Sequence, residues 1–117
     1  MNPKEAAHAH MTWVADLWDR IQNDDPIDPA ETGGDDRCEM GRWLKEQAPA
    51  CAGLPEFETL RRLHGEYHAC AMRAVVQARA GRKDEALRTL EMGGTCTEIS
   101  TILVDACFVF LSSRQAP

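Results

Sequence analysis

Four residues in this chain carry side chains suited to a borderline-soft metal ion: His10, Cys38, His64 and His68. Two of them stand in the run HGEYH. On a helix, a spacing of four stacks His64 and His68 on one face, about 6 Å apart along the axis and within reach of one ion. Histidines so spaced are also ordinary core or surface residues, so the pair by itself leaves metal binding and plain packing equally open. Glu66 follows His64 by two residues, about 200° around a helix. It therefore cannot serve as a base on a metal held by both rings, and the protease pattern H-E-x-x-H is absent.

His10 shares a helical stripe with Val14, Leu17 and Ile21, where an apolar side chain would be ordinary. A hydrogen-bonded core histidine would explain it, and so would a ligand, because buried ring nitrogens need partners. His8 points to the opposite side and is assigned to solvent. Cys38 opens the stretch CEMGRW directly after ETGGDD. With Asp36 as the expected N-cap, Cys38 falls in the first turn of a short helix, where free amides and the helix dipole favour a thiolate. One sulfur and three nitrogens suit Zn²⁺ in a closed tetrahedral site, with bonds of about 2.3 Å to sulfur and 2.0–2.1 Å to nitrogen and no place for water. Gly41 is expected to let the short helix approach a neighbour closely, and Met40 and Trp43 to anchor it. Asp35 and Asp36 are candidates to hydrogen-bond a ligand imidazole; capping alone would also explain Asp36.

The elements that must position these residues are helical. Apolar periodicity predicts a helix over about 4–23. Pro26, Pro29 and TGG make residues 24–35 a connector. A short helix follows over about 37–46, closed by Pro49. A third helix runs from about Pro55 to the stop at Gly81, with Phe57, Leu60, His64, Tyr67 or His68, Ala71, Val75 and Ala78 inward. A fourth covers about 83–111, bent at Gly93-Gly94, with Leu87, Leu90, Ile99, Ile102, Leu103, Ala106 and Phe110 inward. The expected fold is all-α, an antiparallel four-helix bundle of three long helices plus one short helix carrying the Cys motif. One domain is expected over residues 1–117, with its core at about 6–110. The segment ISTILVDACFVFL carries one charge, so it is apolar on nearly every face and suits a subunit interface, hence a homodimer. The tail SSRQAP is expected to fray.

Composition narrows the partners. The net charge of −6, from 19 acidic and 13 basic side chains with no basic block, argues against nucleic acid. The N-terminus lacks the apolar core of a signal peptide and no apolar run reaches the roughly 20 residues of a membrane span. A cytoplasmic protein with no membrane partner is expected. The five cysteines include no C-x-x-C pair and read as thiols in a reducing compartment. Cys70, Cys96 and Cys107 lie among apolar residues as core fillers. Cys51, in APACAG, reads as exposed and able to pair with an oxidised Cys38.

This pattern resembles the chemoreceptor zinc-binding domain family. The residues that carry the resemblance are His10 with Trp13, the element CEMGRW from Cys38 to Trp43, and His64 with His68, within a match of roughly 6–110. Many members have leucine where Met40 stands and lysine where Arg42 stands; neither change touches a ligand. The resemblance implies a four-helix bundle, a Zn²⁺ ion held by His10, Cys38, His64 and His68, and a bacterial cytoplasmic regulatory role. It further implies an output through a chemoreceptor or diguanylate cyclase, and a response to zinc or to oxidants such as hypochlorous acid at the zinc-bound cysteine. No methyl-accepting or cyclase domain follows residue 117 in the sequence, so the expectation is either a piece of a longer protein or a regulator acting on a separate partner. Two rival readings stand beside it: a zinc hydrolase, which needs an open metal position and a carboxylate base, and a metal-free helical dimerisation module.

Overall fold

The computed structural model describes residues 1–115 and shows helices and turns, with no strand among the described residues. Six helices follow in chain order: α1 (Pro3–Gln22), α2 (Pro29–Gly33), α3 (Glu39–Cys51), α4 (Pro55–Arg79), α5 (Lys83–Leu90) and α6 (Thr95–Gln115). The molecule measures 51 × 25 × 19 Å. Of the three long helices, α4 packs against α6, α5 and the short α2, while α1 packs against α6, α3 and α5.

Helix α1 starts one residue earlier than its periodicity predicts, because Asn2 and Glu5 form a reciprocal cap. The Glu5 amide donates to Asn2 Oδ1 at 2.8 Å and the Asn2 amide to Glu5 Oε1 at 3.0 Å. Two orphan donors are thereby satisfied. Its buried face includes Ala6, His10, Leu17 and Ile21, and His8 is exposed.

The connector over 24–35 is not structureless. Asp28 Oδ1 accepts from the Ala30 amide at 2.9 Å and Pro29 occupies the first helical position of α2. Proline fits there because its missing N–H would have had no partner. Helix α3 also differs from expectation at both ends. Its N-cap is Cys38, whose sulfur accepts from the Gly41 amide at 3.2 Å, rather than Asp36. It runs through Pro49 to Cys51. Proline at 49 forfeits the bond to the Lys45 carbonyl, but the last turn seats Cys51 in the core at 1% exposure and the Ala52 amide closes on the Ala48 carbonyl at 2.9 Å. Cys51 is thus buried, not exposed. A helix of this length separates it from Cys38 by about 20 Å, which rules out a disulfide between them.

Helix α4 presents the expected inner stripe, with Phe57, Leu60, His64, Tyr67, His68, Ala71 and Val75 all buried. The fourth predicted helix is two. Gly93 takes φ +85°, and a Cβ on Gly94 would overlap the carbonyl oxygens of Arg88 and Thr89. Both positions need glycine, and together they break the chain between α5 and α6. The inner stripe of α6 is Cys96, Ser100, Leu103, Cys107 and Phe110; Ile102, expected inward, is 54% exposed together with the outward Val109 and Phe108. By length and composition alone, one 18-residue window within Lys83–Arg114 is apolar enough to cross a membrane. Of the tail expected to fray, residues 112–115 continue α6, and Ala116 and Pro117 lie outside the described residues. An aromatic cluster closes one end of the core: Phe110 lies 5.8 Å from Phe57 and 6.2 Å from Trp43, ring centroid to centroid.

Candidate metal centre

The fold brings three of the four predicted residues to one point. Cys38 arrives on the N-cap of α3, and His64 and His68 on successive turns of α4. One ligand atom from each lies within 4.8 Å of the others. Cys38 Sγ stands 3.1 Å from His64 Nε2 and 3.4 Å from His68 Nε2. A tetrahedral zinc with ordinary bond lengths has a sulfur–nitrogen edge of about 3.5 Å. The spacing and the donor chemistry therefore fit such an ion.

His10 is placed differently. It is buried on α1 with its ring edge-on to Tyr67, centroids 4.6 Å apart. Its Nε2 lies 2.9 Å from Ser100 Oγ on α6, and it stands outside the compact group of three.

The orientation of His68 comes from a residue that sequence reasoning did not single out. Its Nδ1–H donates to the Thr32 carbonyl at 2.8 Å. This fixes the ring and leaves the Nε2 lone pair facing Cys38. The unforeseen helix α2 is what carries that carbonyl. A backbone oxygen performs the task for which Asp35 and Asp36 were candidates. Trp13 covers the other side of the same ring, with centroids 4.6 Å apart. A carbonyl has no sequence signature, so Thr32 could not have been found from residue types. Ser100 could have been, as the polar residue on the apolar stripe of α6.

Burial sets the protonation of the group. It pushes His64 down to about 3, with the neighbouring His68 and His10 charges adding to it, and His10 down to about 4, with His68 adding to it. His68 is lowered by burial against the opposing pull of the Thr32 carbonyl and Asp35. All three rings are therefore neutral near pH 7, as ligands must be. The Cys38 thiol is raised by burial, which outweighs the amides at Gly41 and Met40 and the Arg42 charge. Desolvation outweighs the pull of the helix start toward a thiolate, so a cation is needed to displace the proton.

A recess of about 390 Å³ opens from the surface onto Cys38 and His68, between Trp13, Glu31, Arg37 and Arg42. Burial is incomplete only for the sulfur; both imidazoles are 1% exposed. Glu66 is exposed and paired with Arg62 at 3.0 Å, away from the group. Cys96 and Cys107 are fully buried and their thiols raised, Cys107 to about 12, chiefly by burial. Such thiols behave as small apolar groups.

Gly41 lets the α3 start sit against the preceding chain. A Cβ there would overlap the Asp35 carbonyl oxygen and lie 2.8 Å from its carbon and 3.0 Å from Asp36 Cα. Alanine gains up to about 1 kcal/mol of helix preference, but backbone cannot yield as a flexible side chain does. Gly41→Ala is expected to destabilise the protein by about 2 kcal/mol or more, read as a lower urea midpoint, and to weaken metal binding by moving Cys38.

A comparison with protein families matches residues 10–75 to the chemoreceptor zinc-binding domain. The matched segment holds all four candidate residues and ends within α4, leaving α5 and α6 outside it. Searches of curated proteins and of solved structures gave no match. With more than half of its length matched, including the cysteine and histidines gathered here, the chain belongs to the chemoreceptor zinc-binding domain family.

Proposed function

We propose that this chain is a single zinc-binding regulatory domain of bacterial signalling, in which Cys38, His64, His68 and His10 hold one Zn²⁺ ion. The observation that carries the reading is the meeting of Cys38 Sγ with two Nε2 atoms at 3.1 and 3.4 Å. Bound zinc supplies a fixed divalent charge that keeps the Cys38 sulfur deprotonated and joins α3 to α4. The architecture counts as an antiparallel four-helix bundle when α5 and α6 are taken as one interrupted helix. A cytoplasmic location and an output to a chemoreceptor or diguanylate cyclase complete the proposal. A homodimer formed through α6 does too, supported by the exposed Ile102, Phe108 and Val109.

Cys38 has two duties. Its sulfur is a metal donor and also the cap that accepts from the Gly41 amide. The recess gives a small oxidant access to it. Attack by the Cys38 thiolate on hypochlorous acid transfers one oxygen to sulfur and releases chloride, giving a sulfenic acid. The oxidised sulfur is a poorer donor to the metal and a poorer acceptor for the Gly41 amide, so the first turn of α3 loosens. That motion falls on the turns at either end of α3. The hydrolase reading has less support, since a base must stand beside the metal and Glu66 turns outward to Arg62.

The test is direct. Untagged protein is expected to carry one equivalent of zinc by elemental analysis, and stepwise hypochlorous acid to release it as the sulfenic acid accumulates. Protein that binds no zinc, or that loses none on oxidation of Cys38, overturns the reading.

A further inference from the structure

Buried serines on the apolar stripe of a helix are uncommon, and Ser100, at 5% exposure, faces the one candidate ligand that stands apart from the others. Its Oγ lies 2.9 Å from His10 Nε2, ninety residues away in sequence. We infer that Ser100 is a positioning residue: it accepts the Nε2–H of His10, fixes that tautomer, and leaves Nδ1 as the only His10 lone pair available to a metal. This inference rests on the zinc-binding reading for its consequence, while its first part concerns the metal-free chain alone.

The proposed direction is the one that gives the hydroxyl a use for both its proton and its lone pairs. The Ser100 hydroxyl has one, and Met11 Sδ lies 4.0 Å from its oxygen as an acceptor. With that proton turned to sulfur, the oxygen offers lone pairs to His10, and Nε2 must donate. A neutral ring carries a single N–H, so Nδ1 is then bare. His10 is buried at 2% exposure, a setting that favours the uncharged ring. His68 is held by the same logic with the nitrogens exchanged: its Nδ1–H is committed to the Thr32 carbonyl and its Nε2 is free. Each of these imidazoles is therefore oriented through the nitrogen it does not offer.

The consequence is structural. Helix α6 lies outside the segment matched to the family, yet Ser100 ties it to the ligand set through α1. The proposed contact thereby joins His10 to the helix that presents Ile102, Phe108 and Val109 to the outside.

The test uses the full chain labelled with ¹⁵N at histidine. In the metal-free protein the His10 resonances are expected to show Nε2 protonated and Nδ1 bare. Added zinc is expected to shift Nδ1 while Nε2 stays protonated. Ser100→Ala should lower zinc affinity about 10- to 100-fold, as loss of an orienting partner does, and mix the His10 tautomers; Ser100→Thr, which keeps a hydroxyl, should restore one tautomer. A bare Nε2 in the metal-free wild type, a metal shift at Nε2, or unchanged zinc affinity in Ser100→Ala overturns the inference. A chain that binds no zinc at any concentration removes the proposed function, and the metal-free spectrum still decides the tautomer. Should Ser100→Ala not fold, the wild-type spectra decide alone.

Discussion

Replacing Cys38 with serine is expected to lower zinc affinity by about 100-fold or more, beyond the range typical of losing an outer partner, while leaving the chain helical. The argument separates the two duties of the sulfur. As a donor it is irreplaceable, because a serine hydroxyl does not ionise near neutrality and is a poor match to zinc. As the cap of α3 it is replaceable, since serine ranks among the best N-cap residues and its oxygen can accept from the Gly41 amide that now meets sulfur at 3.2 Å. The fold therefore survives and the metal site does not. Competition against a coloured chelator measures the affinity, and circular dichroism the helix content. His8→Ala serves as the control, because His8 is exposed. An affinity within about threefold of wild type, a gap of under 1 kcal/mol, would remove Cys38 from the ligand set.

The second large effect is acid sensitivity of the metal-free chain. Folding depresses His64 to about 3 and His10 to about 4, below the ordinary value of 6.5. Above pH 6.5 both states hold the rings neutral and stability is full. Below it the unfolded chain takes up protons that the folded chain refuses, so stability falls with falling pH. Each histidine contributes about 1.4 kcal/mol per pH unit, and the two together act from 6.5 down to about 4, where His10 protonates in the folded state. A small domain has about 5–15 kcal/mol in hand, so two units of acidification consume much of it. Urea midpoints between pH 7.5 and 4.5 measure the slope. His10→Gln and His64→Gln should each flatten it, and a flat wild-type profile would mean the rings are not buried as described.

Much of this centre is legible from residue types because its donors are side chains with strong chemical character. Cys38, His64 and His68 are separated by fixed helical spacing and a glycine-bearing turn, and α4 delivers the two rings as the spacing of four requires. His10 was legible as a buried imidazole, yet the sequence could not show that a hydroxyl ninety positions away holds it. What escaped notice has a common cause. Backbone groups and close approaches leave no periodic trace: the Thr32 carbonyl that orients His68 sits on five residues read as a connector. Prolines misled twice, since Pro29 begins a helix and Pro49 lies inside one. In both places packing and capping outweighed local preference. The Gly93-Gly94 pair was read as a bend, whereas the positive φ at one and the crowding at the other require a full break.

The oxygen that steers His68 belongs to the main chain, so no substitution at position 32 can delete it. Thr32 is buried, and any residue small enough to occupy that space presents the same acceptor. Tolerance in a mutational survey should accordingly be inverted from the usual pattern: broad for small residues at the position that touches the ring, and narrow at Asp28 and Pro29, four and three residues upstream, which bend the chain so that this oxygen faces inward.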